Sequence, residues 1–241
     1  MNTIVIIQAR MGSSRLPGKI LKPLSSNDVL TYVVERSKRI EGVSEVIVAT
    51  SRLPQDDLVE EWCGKKDVPF YRGSEEDVLD RFIQAAKPYN PDYVIRVTAD
   101  CPFVDYELGS EMVKEMAKNQ VDFIQIEGSL PRGLAVELFS YLALKYMNEH
   151  GKESRHREHV TYYGYEHNDK FSWTTIEAKK EIQEPQLRIT LDTEEDYELC
   201  QRVAENFNGE LFVSSADVVR FLKANPDVAK INAHIEQKPV V

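Results

Sequence analysis

Short apolar runs alternate with amphipathic helical patterns through the first half of the chain, and this alternation limits its possible folds most sharply. Residues 3–7 read as a buried strand. Val29, Leu30, Val33 and Val34 then share one face of a helix, with Ser26 or Asn27 expected as its cap. Residues 46–49 and 68–71 read as further strands, with a short helix over 58–62 between them. A helix beginning at Ser74 would turn Val78, Leu79, Phe82 and Ile83 inward, and residues 93–97 form a fourth strand. Leu108, Met112 and Met116 mark the next helix, and residues 121–126 a fifth strand. The rhythm predicts an α/β fold, a mostly parallel sheet with helices on both faces. Ligands in such sheets sit beyond the carboxyl ends of the strands. The loops after Ile7, Tyr71 and Val97 are therefore the places to look.

From Gly128 to about Lys180 the rhythm breaks into a stretch rich in Tyr, His and charge. It reads as an insertion (128–180) within one domain of 241 residues, forming a lid, an acceptor pocket or a dimer surface. Tyr162, Tyr163, Tyr165 and Trp173 give it the aromatic content of a homodimer contact. Residues 187–191 resume a strand ending at Asp192, and 194–206 are helical. A net charge of −10 argues against nucleic acid as a partner, yet leaves room for a local cationic pocket. No run has the length of a membrane span. The first apolar stretch meets Gln8 and Arg10 at once, unlike a signal peptide. Cys63, Cys101 and Cys200 are odd in number and far apart, as free thiols in the cytoplasm would be.

Three segments carry chemistry. The first, QARMGSSRLPGK over residues 8–19, follows the first strand. Gly12, Ser13, Ser14 and Gly18 let the backbone approach a ligand, and Arg10, Arg15 and Lys19 supply fixed charge for a triphosphate. A solvated basic turn is the plain alternative. A Walker-type loop is excluded, because five residues separate Gly12 from Gly18 and Ile20 follows Lys19. The second, RVTADCPFVD over 96–105, puts Asp100 at a strand end, where it could hold Mg²⁺ beside a triphosphate or cap the next helix. Cys101 lacks a histidine nearby in sequence and makes a poor nucleophile. The third, RITLDTEED over 188–196, lets Asp192 converge on Asp100, although Thr193 with Glu195 and Asp196 also reads as a helix start. His156 and His159, without a third ligand in view, read as surface or interface residues.

Taken together with GSEEDVLDRF, GLAVELFS and REHVT, these motifs resemble the SpsF-like branch of the cytidylyltransferase family, related to the CMP-Kdo and acylneuraminate enzymes. The resemblance runs from the first strand to about residue 200. It implies a nucleotide-diphospho-sugar-transferase-like fold, a homodimer, and coupling of CTP to a sugar or sugar acid with release of pyrophosphate. Carried over, Gln8, Ala9, Arg10, Met11, Gly12, Ser13, Ser14, Arg15 and Lys19 form the nucleotide loop. Arg72, Ser74, Asp77, Arg96 and Thr98 would surround the nucleotide, Glu137 and His159 would border the acceptor, and Asp100 with Asp192 would hold Mg²⁺. One departure stands out: Asp100–Cys101–Pro102 replaces the Asp-Glu-Pro of Kdo enzymes. Two rivals remain. A glycosyltransferase on a related fold would usually show an Asp-x-Asp motif, absent at 100–102, and a nucleotide-sensing subunit would release no pyrophosphate.

Overall fold

A computed structural model describes residues 1–236. In order, its elements are β1 (Thr3–Gln8), β2 (Pro23–Leu24), β3 (Asn27–Asp28), α1 (Val29–Lys38), β4 (Val43–Ser51), α2 (Asp57–Lys66) and β5 (Phe70–Gly73). Next come α3 (Val78–Ala86), β6 (Tyr93–Thr98), α4 (Tyr106–Lys118), β7 (Phe123–Glu127), β8 (Glu137–Ser140), α5 (Tyr141–His150), α6 (Ser154–Glu158) and α7 (Tyr162–Glu166). The last described elements are β9 (Trp173–Glu177), α8 (Glu194–Asn206), α9 (Ser215–Ala224) and α10 (Pro226–Ala229).

The central sheet has seven strands in the order β5-β4-β1-β6-β8-β7-β9. β5, β4, β1 and β6 run parallel, β8 runs against both its neighbours, and β9 lies parallel to β7. Strand side chains alternate between faces. Val5 and Ile7 of β1 accordingly join a core with α1 and α4, while Ile4 and Ile6 join another with α3 and α5. Each fully buried Val or Ile here contributes about 1.5–3 kcal/mol relative to exposure. This is the α/β architecture with helices on both faces that the alternation predicts.

Several elements differ from their sequence-based expectation. α1 is capped by Asp28, which accepts the Thr31 N–H at 2.7 Å, rather than by Ser26 or Asn27. The β2–β3 hairpin carries the chain past those two residues before the helix begins. α3 starts from Asp77, which accepts the Asp80 N–H at 2.9 Å; Ser74 makes the turn before it, accepting the Asp77 N–H at 3.0 Å. Segment 128–180 is no appendage, because it contributes β8 inside the sheet and β9 at its edge. Residues 187–191 form no strand. They pair with loops instead, the Ile189 N–H donating to the Arg132 carbonyl at 2.8 Å and the Leu191 N–H to that of Asp100 at 2.8 Å. A third apolar cluster packs α8 and α9 against Leu16, Leu24 and Phe103, underneath the loop that follows β1.

Candidate active site

Where β1 and β6 end, the chain leaves the sheet over a cavity of about 820 Å³. The loop after β1 is held from below. Leu16 and Ile20 are buried, the Leu16 N–H donates to Ser13 Oγ at 3.2 Å, and the Gly18 N–H donates to the Met11 carbonyl at 3.1 Å. Gly18 takes φ of 68°, a left-handed conformation that costs glycine little. At Gly12 a Cβ would lie 2.6 Å from the Gln55 side chain, so a larger residue would displace Gln55 or the loop. The wholly buried Asp56 completes the support, accepting the Met11 N–H at 2.7 Å through Oδ1 and hydrogen-bonding Ser51 through Oδ2.

Lys19 reaches down from this loop. Its Nζ donates to Asp100 Oδ2 at 2.7 Å and to Asp192 Oδ1 at 2.9 Å, bridging two carboxylates far apart in the sequence. Arg15 lies 3.3 Å from Asp192, and Arg188 donates to Asp192 at 2.8 Å and to Asp196 at 2.8 Å. Burial pulls the Lys19 ammonium down, but Asp100 and Asp192 outweigh it and hold the group above its ordinary value. For Asp192, burial raises the carboxyl, whereas Lys19, Arg15 and Arg188 together carry it below the usual carboxylate range. Neither aspartate caps a helix. α4 is capped by Asp105, and α8 by Thr193 in a reciprocal pair with Asp196.

The floor is formed by Gln8, Arg96 and Thr98. Arg96 pairs with Glu137 and donates to Gln8 Oε1 at 3.3 Å, while Thr161 Oγ1 donates to the other Glu137 oxygen at 2.8 Å. His159, Glu158, Tyr162 and Tyr165, all from the α6–α7 segment, make the far wall with Arg132. Burial and the nearby Arg96 and Arg10 lower the His159 imidazole, against an opposing pull from Glu158 and Glu137, so it is largely neutral near pH 7.

The structure thus gathers Gln8, Arg10, Gly12, Ser13, Ser14, Arg15, Lys19, Arg96, Thr98, Asp100, Glu137, His159 and Asp192 around one cavity. Ala9 is buried, and the Met11 backbone is turned to Asp56, so these two support the loop from behind. Arg72, Ser74 and Asp77 lie outside this cavity. Arg72 donates to the Ser51 carbonyl at 2.8 Å and pairs with Glu60 and Asp57, because β5 lies two strands away from β1. Asp77 is occupied as the α3 cap and pairs with Arg157 at 2.6 Å. Arg132, Tyr162, Tyr165, Asp56 and Arg188 were missed as site or supporting residues. Arg188 alone carried a signal, being the cation four residues before Asp192 in RITLD.

Cys101 is no candidate nucleophile, since burial and then Asp100 push its thiol up to about 12. His156 does acquire neighbours the sequence hides. With Glu166 and His167 it forms, among the described residues, the one group of three or more His, Cys, Asp or Glu side chains close enough to share a metal ion. Its ring Nδ1 faces the Glu153 N–H at 3.4 Å as an acceptor, so Nε2 carries the proton donated to Glu166 at 2.7 Å. A third contact, from Arg155 to Glu166 at 2.9 Å, adds a cation to the same carboxylate.

The cytidylyltransferase family model matches residues 4–218. The chain belongs to the cytidylyltransferase family. It is 37% identical to the spore coat polysaccharide biosynthesis protein SpsF of Bacillus subtilis, over 95% of this chain and 98% of that one. A cytidylyltransferase structure from Leptospira borgpetersenii superposes with a TM-score of 0.89 at 32% identity, covering 99% of each chain. A CMP:2-keto-3-deoxy-manno-octonic acid synthetase solved with CTP shares the fold, with a TM-score of 0.67 at 15% identity over 86% of this chain and 100% of that one. Among the described residues, no helix is long and apolar enough to cross a membrane.

Proposed function

We propose that this cytidylyltransferase joins CTP to a sugar or sugar acid for surface-glycan synthesis, with Mg²⁺ held by Asp100 and Asp192, and that it works in the cytoplasm as a homodimer. The observation that carries the reading is the Lys19 ammonium bridging those two aspartates at 2.7 and 2.9 Å, directly under a loop bearing Arg10, Arg15, Ser13 and Ser14. Two carboxylates converging on one cation are the donor set a hard divalent ion requires, so the residues fit the group. When bound, Mg²⁺ would neutralise phosphate charge at the reacting centre.

The protein's own residues divide the remaining work. Arg10, Arg15 and Lys19 neutralise the triphosphate and steady the departing pyrophosphate. Ser13, Ser14 and the open backbone at Gly12 present donors to phosphate oxygens. An acceptor oxygen attacks the α-phosphorus in line, a new phosphorus–oxygen bond forms, and the bond to the β-phosphate oxygen breaks. Positioning and charge neutralisation supply most of the acceleration in such a step. Glu137 is held by Arg96 and Thr161. With the neutral His159 it borders the acceptor and supplies hydrogen-bonding groups for a polyhydroxylated substrate. A screen of sugars and sugar acids with CTP, read by pyrophosphate release, tests the assignment. CTP should support release better than ATP, GTP or UTP, and GTP binding as tightly as CTP would remove the cytidylyl assignment.

A further inference from the structure

We infer that Lys19 is the resident counter-ion of the Asp100–Asp192 pair and excludes a free divalent cation, leaving its place only as a metal–nucleotide complex arrives. The inference rests on the cytidylyltransferase reading of this site and concerns the order in which its ligands enter. Every carboxylate oxygen of the pair already faces a partner. Asp100 Oδ2 and Asp192 Oδ1 accept from the Lys19 ammonium at 2.7 and 2.9 Å. Asp192 Oδ2 accepts from Arg188 at 2.8 Å and lies 3.3 Å from Arg15. Asp100 Oδ1 faces the Cys101 thiol at 3.6 Å. A small divalent ion binds oxygen at about 2.0–2.1 Å. It cannot occupy the space between two oxygens already spanned by an ammonium, and two cations there would repel.

Charge explains what moves the lysine. Lys19, Arg15 and Arg188 balance Asp100, Asp192 and Asp196, so the free cluster is neutral and has little attraction for a lone metal ion. A triphosphate changes this balance. Its negative oxygens compete for the ammonium, and Lys19 sits on a flexible four-carbon stem that allows the transfer. Once the ammonium turns to phosphate, the two aspartates are left facing each other and an incoming divalent ion is strongly favoured. Arg188 cannot move in the same way, because Asp196, itself wholly buried and bonded to Asn232 at 2.7 Å, fixes its other edge. Metal and nucleotide therefore raise each other's affinity, as reciprocal linkage requires.

Mn²⁺ binding, followed by loss of the free-ion electron paramagnetic resonance signal, tests this on the whole protein without turnover. The parent should bind Mn²⁺ at least about tenfold more tightly with CTP than without it, after correction for Mn²⁺ held by free CTP. Lys19→Met should gain nucleotide-independent Mn²⁺ binding, Lys19→Arg should not, and adding Asp192→Asn to Lys19→Met should abolish the gain. Parental Mn²⁺ binding without CTP as tight as that of Lys19→Met would overturn the inference, as would a gain that survives Asp192→Asn. Should Lys19→Met fail to fold, the parental comparison with and without CTP still decides. Pyrophosphate release by the parent separates the two readings: a parent that turns over CTP yet binds Mn²⁺ unaided contradicts only the role given to Lys19. The reverse result contradicts only the proposed reaction.

Discussion

At the scale of single residues, Asp100 and Asp192 are alike in charge and different in what else depends on them. Among the described residues Asp100 pairs with Lys19 as its one cation, whereas Asp192 also anchors Arg15 and Arg188. Asp100→Asn should leave thermal stability near the parental value while pyrophosphate release falls by about a hundredfold or more, the usual scale for loss of a transition-state charge contact. Asp192→Asn should lose activity similarly and also destabilise the fold by about 1–3 kcal/mol, because charged hydrogen bonds are broken in a half-buried cluster. The sign of its pH dependence follows from the lowered Asp192 carboxyl. A depressed folded value stabilises the fold above the unfolded carboxylate value near 3.9, and that stabilisation disappears as pH falls through the lower folded value. Melting curves of the parent and Asp192→Asn should therefore differ at pH 5–8 and converge below about pH 3; a gap independent of pH would deny the ion-pair account. Arg15→Ala should weaken CTP binding by about 1.5–3 kcal/mol with the fold retained, since one charge-assisted contact is lost. Calorimetric titration matching the parent would make Arg15 part of a basic turn only. Residue chemistry of this kind was legible because the cations and aspartates lie in compact motifs, those of residues 8–19 and 96–105 at the ends of β1 and β6 and Asp192 in RITLD, which ends no strand. Arg72 shows where such legibility fails: it looks identical to Arg96 in a sequence, yet β5 lies too far along the sheet to bring it over the cavity.

Among elements, the α6–α7 segment and β9 are where the proposed acceptor pocket and the proposed homodimer contact fall. α6 and α7 are five-residue helices, too short to persist alone, and depend on packing such as Tyr163 in the core. They bring His159, Thr161, Tyr162 and Tyr165 to the wall of the cavity. Glu137→Gln should consequently act on the acceptor more than on CTP, raising the acceptor KM while CTP binding stays parental; equal losses for both substrates would place Glu137 elsewhere in the mechanism. Tyr162 and Tyr165 line the cavity and Tyr163 sits in the core, which leaves Trp173, also exposed, as the member of the aromatic set outside both. Trp173 lies on β9, the last strand of the sheet among the described residues, and an edge strand offers backbone groups for pairing on one side. A homodimer built through this edge should give twice the chain mass in light scattering at micromolar concentration, and a monomer would refute it. Strong periodic elements such as α8 could be read directly from the sequence, down to the Thr193 cap. β8 could not, because a four-residue strand inserted between β6 and β7 has no periodic signature of its own. Residues 187–191 have the composition of a strand but pair with loops, a choice made by tertiary contacts that local pattern does not contain.

Across the whole molecule, an acidic chain of net charge −10 concentrates Arg10, Arg15, Lys19, Arg96 and Arg132 around one cleft. The general negative charge disfavours polyanions, while the local cations select a small one. The sheet aims β1 and β6 at that cleft, and the C-terminal helices hold the loop after β1 from below. The family was legible at this scale because the loop after β1, Asp100 and Asp192 lie in motifs that carry the resemblance; the far wall of the cavity was not, because it comes from short irregular segments. The most direct measurement is pyrophosphate release from CTP over a Mg²⁺ titration, for the parent and Asp100→Asn in the presence of acceptor mixtures. The parent should release pyrophosphate only with CTP, acceptor and Mg²⁺ together, and Asp100→Asn should do so far more slowly and at higher Mg²⁺. Pyrophosphate release by Asp100→Asn at the parental rate and Mg²⁺ requirement would contradict the account.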